Sequence, residues 1–121
     1  KDERADKRLA HWQQVAISAC EQCGRSTVPL IHPPLLLADW LAQVEADLKL
    51  VLHPVAEPLV SHAKPVSLAF LIGPEGGLND NEVNQAVAAN FQAARLGPRV
   101  LRTETAAAVA LSVAQQLWGD F

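Results

Sequence analysis

VSLAFLIGPEGGLNDNEV, residues 66 to 83, carries an apolar run into a glycine-rich turn and out into polar residues able to begin a helix. Its first seven residues have so few polar breaks that they suit a strand covered on both faces, as in a parallel sheet, and this strand is expected to be central. Asn79, with Glu82 three residues on, has the spacing of a capping box, so a helix is expected from Asn79 through roughly Asn90.

The flanking segments continue the alternation. Residues 6 to 23 place Leu9, Trp12, Val15, Ala16, Ala19 and Cys23 at three- and four-residue steps, which predicts an amphipathic helix that Gly24 can end. TVPLI (27–31), bounded by Pro33 and Pro34, reads as a brief strand, and LLLADWLAQVEAD (35–47) as a second helix. KLVLH (49–53) reads as a strand stopped by Pro54, with a loop from 54 to 65. AARLG (93–97) is a short strand closed by Gly97-Pro98, and Thr103 or Thr105 can cap an Ala-rich last helix ending near Trp118. Strands alternating with helices make the chain α/β, a mostly parallel sheet flanked by helices, and ligands in such sheets sit beyond the carboxyl ends of the strands. Three strand ends carry loops of interest: LHP (52–54), GPEGG (73–77) and LGPRVLRTET (96–105).

The bulk numbers narrow the function. With 121 residues, half of them hydrophobic, the chain is one domain's worth and can bury a core without staples. A formal charge of -3 supplies no general attraction to a nucleic-acid backbone, so any RNA affinity must be local or come from missing sequence. Cys20 and Cys23 form a C-x-x-C inside a helical pattern with no second pair, which reads as packing or surface thiols rather than a zinc or redox site. His11, His32, His53 and His62 show no metal-ligand spacing, so no metal is expected. The sequence has no disulfide framework, no eighteen-residue apolar run and no signal-peptide pattern, so a soluble cytoplasmic protein with no membrane contact is expected. It opens without Met on KDERADKR, and a fragment of a longer protein is expected.

The turn Gly73-Pro74-Glu75-Gly76-Gly77 lacks the Lys-Ser/Thr ending of a P-loop and the spacing of a dinucleotide fingerprint. Glu75 is its only charged residue, and a carboxylate would repel a triphosphate, so the turn suits a neutral or locally cationic ligand held largely by backbone groups. Two readings of the glycines stand: they supply positive φ for a tight turn, or they let a ligand approach the backbone. In the third loop, capping explains one threonine and the helix dipole explains Glu104, but Arg99 and Arg102 lie where cations are unfavourable unless something anionic offsets them. Arg25, at the end of the first helix in EQCGR (21–25), is electrostatically comfortable there without any function.

EQCGR with VPLI shortly after it, LHP, LIGPEGGLNDNEV and LGPRVLRTETAAAVAL, in this order and spacing, resemble the SPOUT methyltransferases, and among them the bacterial 16S ribosomal RNA uridine-N3 methyltransferases, across nearly the whole chain. Cys23 stands where that family often has a small hydroxyl residue. The resemblance implies a SPOUT catalytic domain over residues 1–121, with a C-terminal trefoil knot, the N-terminal RNA-binding barrel domain of family members being absent from this chain. It implies a homodimer acting on 16S ribosomal RNA of the small subunit with S-adenosylmethionine as cofactor. Dimerisation is expected to bury apolar faces of the first and last helices, with Trp12 and Trp118 either there or in the monomer core.

By the same resemblance the backbone around Leu52, His53, Gly73, Pro74, Gly76, Leu96, Gly97, Val100, Leu101 and Arg102 holds the cofactor. Arg25 and Arg102 are the candidates for anchoring phosphate or the developing uracil anion; Glu104 could orient an arginine or accept the proton, orientation being favoured because an ordinary carboxylate is a weak base for that job; and Glu21 is a weaker candidate for those duties. Arg102→Ala or Gly76→Val is expected to cripple the intact enzyme. The alternative is a non-catalytic RNA-binding or ribosome-assembly module that keeps the fold.

Overall fold

The computed structural model describes residues 3–58, 63–97 and 99–121, which divide into two units, Lys1–Leu37 and Ala38–Phe121. The first unit is dominated by α1 (Glu3–Cys23), a helix with acidic residues Glu3 and Asp6 in its first turn, where the dipole favours them. It ends as Gly24 allows: the Arg25 N–H returns to the Cys20 carbonyl at 2.9 Å, satisfying one of the last turn's orphan acceptors. Of the apolar face read from the sequence, Leu9 and Ala16 are half-buried, whereas Trp12 is 45% and Val15 52% exposed. Cys20 is buried and Cys23 exposed, both as free thiols. TVPLI is no strand: residues 27 to 31 carry no regular structure, because Pro29 has no N–H for a ladder and nothing pairs with so short a run.

The second unit holds a parallel three-stranded sheet of β1 (Leu48–Pro58), β2 (Leu68–Leu71) and β3 (Gln92–Arg95), in the order β2-β1-β3, with α2 (Leu37–Gln43) ahead of it, α3 (Asp80–Ala88) between β2 and β3, and α4 (Thr103–Trp118) last. Among the described residues β1, not the run at 66–72, is therefore central. Leu50 and Val51 on β1 are fully buried while the four residues of β2 are only half-buried, so apolar content alone misjudged which strand has neighbours on both sides. Leu50 pairs with Phe70 on one side and with Gln92 on the other.

Pro54 does not stop β1. The register against β3 slips between Leu52 and Glu57, and a proline that cannot donate to the ladder is tolerated at such an irregularity. The expected loop thus begins later, and residues 59–62 of it lie outside the described residues. The start of the β1–β2 pair is fixed by Asp47: its carboxylate accepts the Val66 N–H at 2.8 Å, and its own N–H donates to the Ser67 hydroxyl at 2.8 Å.

Leu50 and Ala94 form the fully buried centre, with Leu48, Leu68, Phe70, Leu96, Val113 and Trp118 packed on them. Trp118 therefore belongs to the core of its own chain. Each fully buried aliphatic side chain contributes about 2 kcal/mol of burial free energy, and on α4 Ala106, Ala110 and Ala114 form one buried stripe at four-residue steps. Phe91 packs tilted against Trp40 at 5.6 Å between ring centroids, under the Lys49 ammonium at 5.5 Å.

The capping box is present as read. The Asn79 side chain accepts from the Glu82 N–H at 2.8 Å, and Glu82 accepts from the Asn79 N–H at 2.9 Å. Just past the end of α3 and its C-cap Ala89, Asn90 has a φ of 74°, which lets the Phe91 N–H reach the Ala86 carbonyl at 3.0 Å. Asn79→Ala deletes the side-chain acceptor of the Glu82 N–H while keeping the backbone N–H that donates to Glu82, and is expected to lower unfolding free energy by about 1 kcal/mol in equilibrium urea denaturation.

Candidate functional site

Beyond the carboxyl ends of the parallel strands lies a cleft of about 360 Å³, formed wholly within the second unit. Three segments wall it: Leu52 and His53 from β1, Ile72 to Leu78 from the turn between β2 and α3, and Arg95 to Ala106 at intervals from the end of β3 into α4. The volume is that of a small-molecule pocket, within the range of about 300–1,000 Å³ such sites occupy.

The turn explains its own shape. Gly77 donates its N–H to the Pro74 carbonyl at 2.7 Å and sits at φ +80°, so it is held there by backbone conformation. Gly73 is required for a different reason, since a Cβ added there would lie 2.9 Å from both the N and the Cγ of Leu78. Gly76 answers to neither cause: its φ is not positive, and a Cβ on it would meet nothing within 4 Å. Turn geometry thus accounts for only one of the two adjacent glycines. The other leaves bare backbone facing open space in a cleft it lines.

Electrostatically the cleft carries both signs, for Glu75 lines it together with Arg95 and Arg99. The turn by itself is acidic, as its sequence says. The cleft as a whole is not, because β3 and the segment after it bring two guanidinium groups that local reading of GPEGG could not see.

Nine of the ten residues expected to hold the cofactor come together here: Leu52, His53, Gly73, Pro74, Gly76, Leu96, Gly97, Val100 and Leu101. Arg102 does not line the cleft. It is the exposed N-cap of α4, and its neighbours Leu101 and Thr103 contribute to the wall, successive residues at a helix start facing in different directions. Glu104 is exposed in the first turn of α4. Arg25 and Glu21 are exposed and belong to the first unit.

Sequence reasoning missed Thr103 and Ala106 as wall residues. Thr103 or Thr105 was expected as a cap, yet the N-cap is Arg102 with no side-chain cap bond, and the Thr103 hydroxyl instead donates to the Gly73 carbonyl at 2.9 Å. Ala106 follows one turn later on the same face, buried. Among the described residues no group of three or more His, Cys, Asp and Glu could hold a metal ion, and no helix is long and apolar enough to cross a membrane.

A family model described as an RNA methyltransferase domain matches residues 1–115. The ribosomal RNA small subunit methyltransferase E of Buchnera aphidicola subsp. Acyrthosiphon pisum is 35% identical over 117 residues, which are 94% of this chain and 46% of that protein. Its namesake from Mycobacterium bovis is 40% identical over 116 residues, 89% of this chain and 44% of that one. Among solved structures, a methyltransferase from Legionella pneumophila in complex with the bound cofactor SAM superposes with a TM-score of 0.96 at 41% identity, covering 100% of this chain and 51% of that one. Ribosomal RNA small subunit methyltransferase E from Neisseria gonorrhoeae, bound to S-adenosyl methionine, superposes with a TM-score of 0.93 at 45% identity, covering 98% of this chain and 51% of that one. The chain spans about half the length of the relatives it matches.

Proposed function

The chain belongs to the RNA methyltransferase domain family, and we propose that it is a SPOUT-type catalytic domain that methylates a uridine N3 of 16S ribosomal RNA with S-adenosylmethionine. The observation that carries this reading is the gathering of three separate strand-end segments into one cleft whose turn exposes bare backbone at Gly76. The donor set fits the cofactor. Leu52, Ile72, Leu78, Leu96, Val100 and Leu101 offer apolar walls for an adenine, Glu75 faces a ligand's positive charge, and Arg95 and Arg99 suit its carboxylate. When bound, S-adenosylmethionine supplies an electrophilic methyl group on a positive sulfur.

The protein's share of the chemistry is alignment and charge stabilisation. Once uridine N3 has given its proton to solvent water, the uracil carries negative charge that a guanidinium can stabilise. Arg102, exposed at the rim between two wall residues, and Arg25 are the proposed anchors for that charge or for a neighbouring phosphate; Glu104, two residues from Arg102 and exposed, orients an arginine.

A C-terminal trefoil knot and a homodimer are part of the proposal. The first is consistent with the start of the last helix lying bonded to the turn after β2, two segments that a threaded tail would bring together. The second is supported by α4, which buries one alanine stripe and leaves Leu111 59% and Leu117 40% exposed, an apolar face a second copy would cover. RNA recognition and the cytoplasmic setting belong to the same reading.

Calorimetric titration with S-adenosylmethionine is expected to give heat with one site per chain, and primer extension on 16S ribosomal RNA incubated with the protein and cofactor a stop at one uridine, since an N3 methyl blocks base pairing. A titration without heat overturns the enzyme reading in favour of a non-catalytic RNA-binding or ribosome-assembly module.

A further inference from the structure

The hydroxyl of Thr103 is committed to an unusual partner for a residue in the first turn of a helix. Threonines there commonly satisfy the helix's own orphan N–H groups, yet α4 starts at Arg102 without any side-chain cap, and Thr103 gives its proton to a carbonyl thirty residues earlier. Both partners line the cleft, on opposite segments of its wall, and the bond is partly buried. Among the described residues no backbone hydrogen bond joins the turn at 73–77 to residues 99–106, so this hydroxyl is the polar tie between them. Ala106, one turn on, adds only a methyl group to the same wall.

We propose that Thr103 is a positioning residue of the cleft: its bond to the Gly73 carbonyl sets the separation of the glycine turn from the start of α4 before any ligand arrives. This rests on reading the cleft as the S-adenosylmethionine site. A ligand gripped by backbone groups on two loops gains most when the loops are already in place, because it then spends none of its binding free energy on ordering them. The tie joins two segments of the protein to each other, so its effect is expected on binding of the methyl donor and its demethylated product alike, and not on the chemical step.

The test replaces the hydroxyl by a methyl group of the same shape, Thr103→Val, and titrates the protein with S-adenosylmethionine and with S-adenosylhomocysteine. Both dissociation constants are expected to rise by about the same factor, roughly fivefold, the worth of one neutral hydrogen bond, while the single-turnover methylation rate at saturating cofactor stays within about twofold. Thr103→Ser, which keeps the donor, is expected to bind as wild type does, and it carries the test if the valine variant does not fold. Valine binding as tightly as threonine, serine binding as weakly as valine, or a loss confined to the methylation rate overturns the tie. Wild-type protein that binds neither ligand overturns the cofactor reading as well, which separates the two failures.

Discussion

Gly73→Ala is expected to weaken S-adenosylmethionine binding by roughly ten- to a hundredfold, with the loss read by calorimetry. The new methyl group would stand 2.9 Å from the Leu78 backbone N and 3.2 Å from the Gly77 carbonyl carbon. Neither is the far end of a flexible side chain, so the turn itself must open. Overpacking of this kind costs about 1–3 kcal/mol, and the displaced segment carries the carbonyl that Thr103 holds. Gly76→Ala is the informative comparison. Its Cβ meets no protein atom within 4 Å, so the urea midpoint is expected to stay within error of wild type, and any loss of affinity at position 76 measures how near the ligand itself comes. At Gly73 both midpoint and affinity are expected to fall. Unchanged affinity in Gly73→Ala would mean that the turn is no wall of the binding site.

The contrast between these glycines also marks what could be read in the chain before its fold was known. Both were visible as residues of one turn, but which is needed for backbone conformation, which for packing and which for a ligand depends on atoms of Leu78 and Pro74 in three dimensions. Signals that live within a few residues survived well: the Asn79–Glu82 box, the end of α1 after Cys23, and the three strand ends that meet in the cleft. Pairing information is not local, and there the reading went astray. The apolar run at 66–72 reads as more deeply buried than 49–53, yet among the described residues β1 has a neighbour on each side and β2 on one. Proline signals were overread at Pro54, because losing one N–H ends a strand only when the ladder needs that donor, and a register slip removes the need. Thr103 shows the reverse error: the local motif offered a cap, and a carbonyl thirty residues away won the hydroxyl.

Arg102→Ala is expected to give the largest loss of activity at the smallest structural cost. As the N-cap of α4 it works through its backbone, whose carbonyl accepts the Ala106 N–H at 2.7 Å and whose φ of -63° and ψ of 153° any residue can adopt. Its side chain makes no cap bond and is exposed. A cation at a helix N-terminus opposes the dipole, so removing it is expected to leave stability unchanged or to raise it by a few tenths of a kcal/mol. A residue that the fold does not need, placed between two wall residues at the rim of the cleft, is where a charge waiting for an anionic partner would stand. If that partner is the uracil as it loses its N3 proton, deleting the guanidinium is expected to slow single-turnover methylation of 16S ribosomal RNA by about a hundred- to a thousandfold, with cofactor affinity within about twofold of wild type. If Arg102 instead binds only an RNA phosphate, saturating RNA restores the rate and Arg102→Lys serves nearly as well, since a phosphate accepts a point charge where a planar anion rewards the fork of an arginine. A rate at saturating RNA that is indifferent to both substitutions would remove Arg102 from the chemistry.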